Sequence, residues 1–154
     1  MNPAEWLTRA SDRFNDRMRS AQATDVATAA PTGRLDDLQG RKYCVLITYK
    51  RDGGAVPSPL WFGVGNGKLY FQTGADSAKV KRLQRNPEVR VAASTSRGRP
   101  ISSPFTGTAR VVPATEEAEA ERRLQANYGL GRRLYSLFGD RVTNVYVEIT
   151  PATG

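Results

Sequence analysis

Apolar and polar positions alternate in two distinct ways along this chain, and each predicts a different kind of element. Between Pro3 and Met18 the apolar residues Trp6, Leu7, Ala10, Phe14 and Met18 recur at spacings of three and four, which places them on one face of a helix. Asn2-Pro3-Ala4-Glu5 opens it with a cap residue, a proline at the first helical position and a carboxylate three residues after the cap. The opposite face mixes Arg9 and Arg13 with Asp12 and Asp16, so the stripe is expected to dock on the rest of the protein or on a second subunit rather than on a membrane. Ser20 to Gly33, dominated by Ala, Thr, Gln and Pro, reads as a weakly structured linker.

From Tyr43 the pattern changes to short β-rich runs between turn residues. Tyr43 to Tyr49 leads into Arg51-Asp52-Gly53-Gly54, Ala55 to Val64 leads into Gly65-Asn66-Gly67, and Lys68 to Thr73 follows; the three predict an antiparallel meander. Pro57 and Pro59 lie two apart and so lack N–H groups on the same side of the second run, which suits a strand edge left open for a ligand, or a bulge. Val80 and Leu83 give Ser77 to Asn86 a helical spacing, with Asp76 or Ser77 as cap and Pro87 as stop. Val89 to Ser94 and Ile101 to Val112 are predicted strands around the loop Thr95 to Pro100. A helix begins near Thr115, a short helical piece spans Arg132 to Phe138, and Asn144 to Thr150 forms the last strand. Six or so short antiparallel strands with few helices predict a mainly β, α+β fold: a small barrel over residues 41–154, preceded by a helix and linker over residues 1–40.

Composition then narrows the chemistry. A chain of 154 residues is the size of one domain. With no histidine it runs no Ser-His-Asp or Cys-His mechanism and offers neither a His-containing zinc site nor a proximal haem imidazole, and no metal site is expected. The single cysteine, Cys44, sits in the apolar run Tyr43 to Tyr49 and reads as a small buried hydrophobe. No apolar run approaches the roughly 18 residues of a membrane span, and the N-terminus lacks the layout of a signal peptide, so a cytoplasmic location without membrane contact is expected. The net charge of +8 is localised: residues 41–100 hold 12 Lys/Arg and 3 Asp/Glu, against 5 and 6 before them and 6 and 6 after. Such a field favours an anionic partner. Few aromatics interleave with it, which disfavours nucleic acid.

The richest stretch is Thr73-Gly74-Ala75-Asp76-Ser77-Ala78-Lys79-Val80-Lys81-Arg82-Leu83, where a strand ends, a glycine turn follows and a helix begins. The helix N–H groups, the Ser77 hydroxyl and the Lys79 ammonium can converge there on one phosphate. Caps with solvated lysines would leave the same residues, and the spacing alone does not choose. Together with Asn86-Pro87-Glu88-Val89-Arg90-Val91, Gly98-Arg99-Pro100 and Gly107-Thr108-Ala109-Arg110, the stretch resembles the split β-barrel flavin and deazaflavin oxidoreductases. It is most similar to the pyridoxamine-phosphate-oxidase-like enzymes that use coenzyme F420, over about Arg41 to Val112 and more weakly to Thr150.

The resemblance implies a homodimer with cofactors in grooves at the subunit interface, and a small-molecule substrate. It implies that Ser77 and Lys79 hold the cofactor phosphate or the start of its acidic tail, with Thr73 below and Arg82 one turn further on. Ser58, Pro59, Leu60 and Trp61 would run along the tricyclic ring, and Arg99, in the loop Arg97 to Pro100, would reach the cofactor of the other subunit. Pyridoxamine phosphate oxidases carry an arginine-led motif in the second strand; here it reads Ala55-Val56-Pro57-Ser58-Pro59-Leu60, which favours F420 over the alternative, FMN. No side chain is assigned as nucleophile, and Tyr43, Tyr49, Tyr70 or water remain candidate proton sources.

Overall fold

The computed structural model describes residues 21–129 and 143–152. The predicted helices Pro3 to Met18 and Arg132 to Phe138 lie outside the described residues.

Seven strands form one antiparallel sheet: β1 (Cys44–Tyr49), β2 (Ala55–Leu60), β3 (Gly63–Gly65), β4 (Lys68–Gly74), β5 (Glu88–Ala93), β6 (Phe105–Val111) and β7 (Asn144–Pro151). Their spatial order is β2-β1-β5-β6-β7-β4-β3. Among the described residues two α-helices accompany them, α1 (Ala78–Arg85) and α2 (Glu117–Tyr128). The fold is mostly β, as expected, with one strand more than the sequence suggests.

That strand comes from a break in the predicted run Ala55 to Val64. β2 pairs with β1, whereas β3 pairs with β4, so the expected three-stranded meander is two hairpins at opposite ends of the strand order. In a flat sheet six spacings of about 4.8 Å would separate the outer strands by about 29 Å. Only Trp61 and Phe62 join Leu60 to Gly63, and two intervening residues span at most about 11 Å. The sheet must therefore curl until its two edges approach, which makes it a split β-barrel.

Alternation along β1 shows what fills and what covers this barrel. Cys44 and Leu46 join Leu60, Phe62, Leu69, Phe71, Val91, Val147 and Ile149 in the main core. Val45 and Ile47 face the other way, into a second buried cluster with Ala92, Ala23 and Val26. Ala23 and Val26 belong to a 3-10 helix, Ala21–Ala27. The first half of the stretch predicted as weakly structured is thus a regular element seated on the sheet, while residues 28–33 are irregular as expected; the few apolar side chains of Ala21–Ala27 are small, which is why composition hid it. The second predicted hairpin strand is also shorter than expected: Ile101 to Pro104 is irregular, held by Ile101 N–H to Ala93 O and Gly33 N–H to Pro104 O, and β6 starts at Phe105.

α2 packs on β3, β4 and β7. It approaches β3 so closely that a Cβ on Gly63 would lie 2.3 Å from the Arg123 carbonyl carbon. Its last turn locks the crossover. The Tyr128 hydroxyl accepts from Phe62 N–H at 2.8 Å and donates to Lys42 O at 2.6 Å, while Asn127 Nδ2 donates to Phe62 O at 3.0 Å and Arg41 O at 3.1 Å.

On the outside of the sheet a polar row crosses β4, β7 and β6 at Tyr70, Glu148 and Arg110. Glu148 is 5% exposed, and accepts from Arg110 at 2.9 Å and Lys68 at 3.2 Å. Burial pushes its carboxyl up, but hydrogen bonds from Arg110, Lys68 and Tyr70 outweigh burial and hold it below its ordinary value. A depressed carboxyl stabilises the fold above its unfolded pKa and loses that contribution as pH falls through its folded pKa. Glu148→Gln is therefore expected to be less stable than the parent at neutral pH, with the difference shrinking as pH drops below 4.5, the ordinary value. Urea denaturation at a series of pH values measures this; a difference constant down to acid pH would contradict it.

Candidate functional site

The start of α1 is built by β4 and a three-residue turn. Ser77 N–H donates to Gly74 O at 3.0 Å, and Ala75 N–H ties the turn to Thr143 O at 2.9 Å. Ser77, with extended backbone, is the N-cap: its Oγ accepts from Val80 N–H at 3.2 Å and lies 3.3 Å from Thr73 Oγ1. This is the capping role that small hydroxyl residues fill because they can replace a missing helical acceptor. Ser77 is 1% exposed and Lys79, in the first turn, only 8%. Thr73, Ser77 and Lys79 thus gather at one strand-to-helix turn, as the sequence suggested.

Arg82, expected one turn beyond Lys79 in the same groove, is held at its Nε by another element. Its Nε donates to Thr48 Oγ1 at 2.7 Å, and Arg85 reaches Tyr49 O at 3.4 Å, so α1 grips the end of β1. Thr48 is fully buried and stands opposite Val56 of β2. Its hydroxyl, inside an otherwise apolar strand, needs a partner. That need was the sequence signal for this contact.

Ser58, Pro59 and Leu60 lie on β2, the outer strand, which among the described residues pairs in the sheet with β1 alone. The prolines are compatible with that place because an edge strand has one side without ladder bonds. Leu60 belongs to the main core, so it can offer a groove only its backbone. Trp61 stacks on Tyr128 with ring centroids 4.7 Å apart and planes at 17°. Tyr128, whose phenol burial pushes up, and Asn127 are site neighbours that local patterns do not reveal, because both come from an element more than sixty residues away. Arg99 is exposed, in a turn where its N–H donates to Thr95 Oγ1 at 3.1 Å. Within this chain the loop returns to its own edge strand: Gly98, at φ 85°, lies so near Pro59 and Ala23 that a Cβ would be 3.2 Å from each.

Two groups therefore form, Thr73, Ser77 and Lys79 at the start of α1 and Ser58, Pro59 and Trp61 along the β2 edge, with Arg82 and Thr48 tying α1 to β1 beside that edge. The α1 group fits an anion: hydroxyls, an ammonium and helix amides, with Asp76 the one acid between Thr73 and Arg85. Burial pushes the Cys44 thiol far up, which removes it as a nucleophile. Tyr70, its phenol raised first by burial and then by Glu148, is engaged in the polar row. Among the described residues no three His, Cys, Asp or Glu side chains form a metal-binding group, and no helix is long and apolar enough to cross a membrane.

A family profile described as Pyridoxamine 5'-phosphate oxidase matches residues 15–147. No curated protein matches the sequence. Among solved structures, the chain resembles HutZ, the heme storage protein from Vibrio cholerae, at 17% identity and TM-score 0.59, covering 79% of this chain and 93% of that one. It resembles a FAD-binding protein from Mesorhizobium loti at 15% identity and TM-score 0.56, covering 77% and 84%. A structure described as F420 reductase aligns at 19% identity and TM-score 0.51, covering 80% and 97%. At such identities these likenesses establish the shared fold.

The Arg82–Thr48 tie yields a test. Thr48→Val keeps the shape and removes the acceptor, and is expected to lower unfolding free energy by about 1–2 kcal/mol. In an Arg82→Ala background the same substitution should cost less than half as much, because the bond is already gone. Denaturation of the four proteins measures the coupling; additive losses would show that the bond contributes nothing.

Proposed function

The chain belongs to the pyridoxamine 5'-phosphate oxidase family, and from that premise we propose that it is an F420-dependent oxidoreductase acting on an unidentified small organic substrate. The observation that carries this is the nearly covered Lys79 in the first turn of α1 beside the Ser77 cap at the end of β4, groups of the kind that receive a phosphate or carboxylate. Hydride chemistry is supplied by the deazaflavin when bound. The protein's part is position and charge. Lys79, the Ser77 and Thr73 hydroxyls and the first amides of α1 hold the anionic end, and exposed Lys81 with Arg82 extends the positive surface toward an acidic tail. Ser58 to Trp61 offers the backbone of the β2 edge to the polar rim of a ring, with Pro59 and the Trp61–Tyr128 stack as apolar surface.

FMN is the second reading, because the family profile is that of a flavin-dependent oxidase. Against it stands β2, which carries Pro57 and Pro59 and no arginine for a phosphate clamp. A cytoplasmic homodimer, with Arg99 reaching the partner's groove, completes the proposal.

Titration of the purified protein with F420 and with FMN is expected to give tighter binding of F420; equal or tighter FMN binding would transfer the assignment to the flavin. Lys79→Ala should weaken cofactor binding by about 1–3 kcal/mol, the scale of a lost charge-assisted hydrogen bond. A sharp stability loss with unchanged affinity would make Lys79 a structural residue.

A further inference from the structure

The tyrosines of this chain differ in how far their hydroxyls are committed. Tyr128 accepts from Phe62 N–H and donates to Lys42 O, Tyr146 donates to Glu121 Oε1 at 2.6 Å, and Tyr70 is hydrogen-bonded to Glu148. Among the described residues the hydroxyls of Tyr43 and Tyr49 have no such partner. Tyr49 ends β1 at its hairpin and packs against the second apolar cluster. Tyr43, half-buried, precedes β1 at the other end, roughly 20 Å away along the strand. Ser94 N–H donates to Tyr43 O at 3.1 Å, so the ladder of β1 with β5 runs one residue beyond the strand. Continuing the pairing of Cys44 with Leu60 by the same step sets Tyr43 opposite Trp61. Cys44 and Leu60 face the main core, and the pleat turns Tyr43 to the other face, that of Val45 and Pro59. Tyr43 also lies within electrostatic reach of Tyr128, the ring stacked on Trp61: burial first, and Tyr43 among the lesser causes, raises the Tyr128 phenol.

The strand edge beside Tyr43 is short of donors. Lys50 N–H to Gly54 O at 2.9 Å makes these two a hydrogen-bonded pair. By alternation Val56, Ser58 and Leu60 turn their backbone groups toward β1, and Ala55, Pro57 and Pro59 turn theirs outward. Prolines have no N–H. From Pro57 to Leu60 the outer margin of β2 therefore presents carbonyls and no backbone donor.

We infer that the Tyr43 hydroxyl is the donor that recognises a carbonyl on the polar rim of the bound ring. The inference rests on the proposed cofactor reading and adds to it a residue outside both groups of the candidate site. The rim of a deazaflavin, like that of a flavin, carries carbonyls on either side of an N–H. An edge of carbonyls can receive that N–H but leaves the ring carbonyls without a donor, which costs affinity once water is displaced. A phenol supplies the donor without adding charge. Lys79 holds the anionic end from a different element, so rim and phosphate recognition are separable.

Titration with F420 and with its phosphate-free deazaflavin core, followed by the fluorescence of the ring, tests this. Tyr43→Phe, which removes the hydroxyl alone, should weaken the binding of both ligands about tenfold. Lys79→Ala should weaken F420 and leave the core unchanged. Nitration of the unaltered protein by tetranitromethane, read by peptide mass, gives a measurement that needs no variant: saturating F420 should slow modification of Tyr43 severalfold and leave Tyr49 at its own rate. A folded Tyr43→Phe protein that binds both ligands as tightly as the parent overturns the rim contact while leaving the cofactor reading intact, and so does nitration of Tyr43 that ignores F420. If Tyr43→Phe does not fold, the nitration decides. Failure of the unaltered protein to bind either F420 or FMN overturns both.

Discussion

Trp61 and Phe62 must carry the chain from one margin of a seven-stranded sheet to the other, and two residues can do so only if the margins nearly meet. The curvature of the sheet, the enclosure of its core and the exposure of β2 as an edge all follow from that short connection. Such a crossover leaves backbone groups outside any ladder, and buried polar groups must be satisfied elsewhere. Asn127 and Tyr128 do this for both the N–H and the carbonyl of Phe62. The absence of a side chain at Gly63 lets α2 come close enough to deliver them. One helix end thereby serves as the clasp of the barrel and, through the stack on Trp61, as a border of the candidate site.

Local signals were legible where local physics decides. Gly53 and Asn66-Gly67 adopt positive φ in the predicted turns, Ser77 caps α1, and β1, β4, β5 and β7 fall within a residue or so of their hydrophobic runs. Legibility failed where a distant partner decides. Leu60-Trp61-Phe62-Gly63-Val64 is continuous in apolarity, and nothing within it announces a break that Asn127 and Tyr128 impose. Ala21–Ala27 has too little apolar area to register as periodic, yet two small side chains suffice against a flat apolar face already present. At the site, the grouping of Thr73, Ser77 and Lys79 followed from sequence adjacency. The bond of Arg82 to Thr48 did not, since it spans elements that only the tertiary fold brings together.

The charge surplus of the middle segment also takes on a shape. Arg82 and Arg85 reach the end of β1, Arg90 reaches across to the segment before the barrel, and Arg110 and Lys68 neutralise Glu148 on the outer wall. Part of what composition presents as a field for an anionic partner is therefore internal fastening. Lys79, nearly covered in the first turn of α1, is the member of that surplus on which the proposed anion site rests. An excess of positive charge alone would not have separated the two uses.

The position of β7 bears on how the molecule is made. It lies between β6 and β4, pairing Ile149 with both Ala109 and Leu69, so the latest strand in sequence joins the earlier ones into a single sheet. Until Asn144–Pro151 emerges during synthesis, β4 and β6 each present an unpaired margin, and the partner of β4 is nearly eighty residues away. Such long-range pairing slows folding and leaves exposed strand edges open to other chains in the interval. The exposure of such a nascent chain is therefore greatest late in translation, when the four-stranded piece β2-β1-β5-β6 and the hairpin β3-β4 still await their common neighbour.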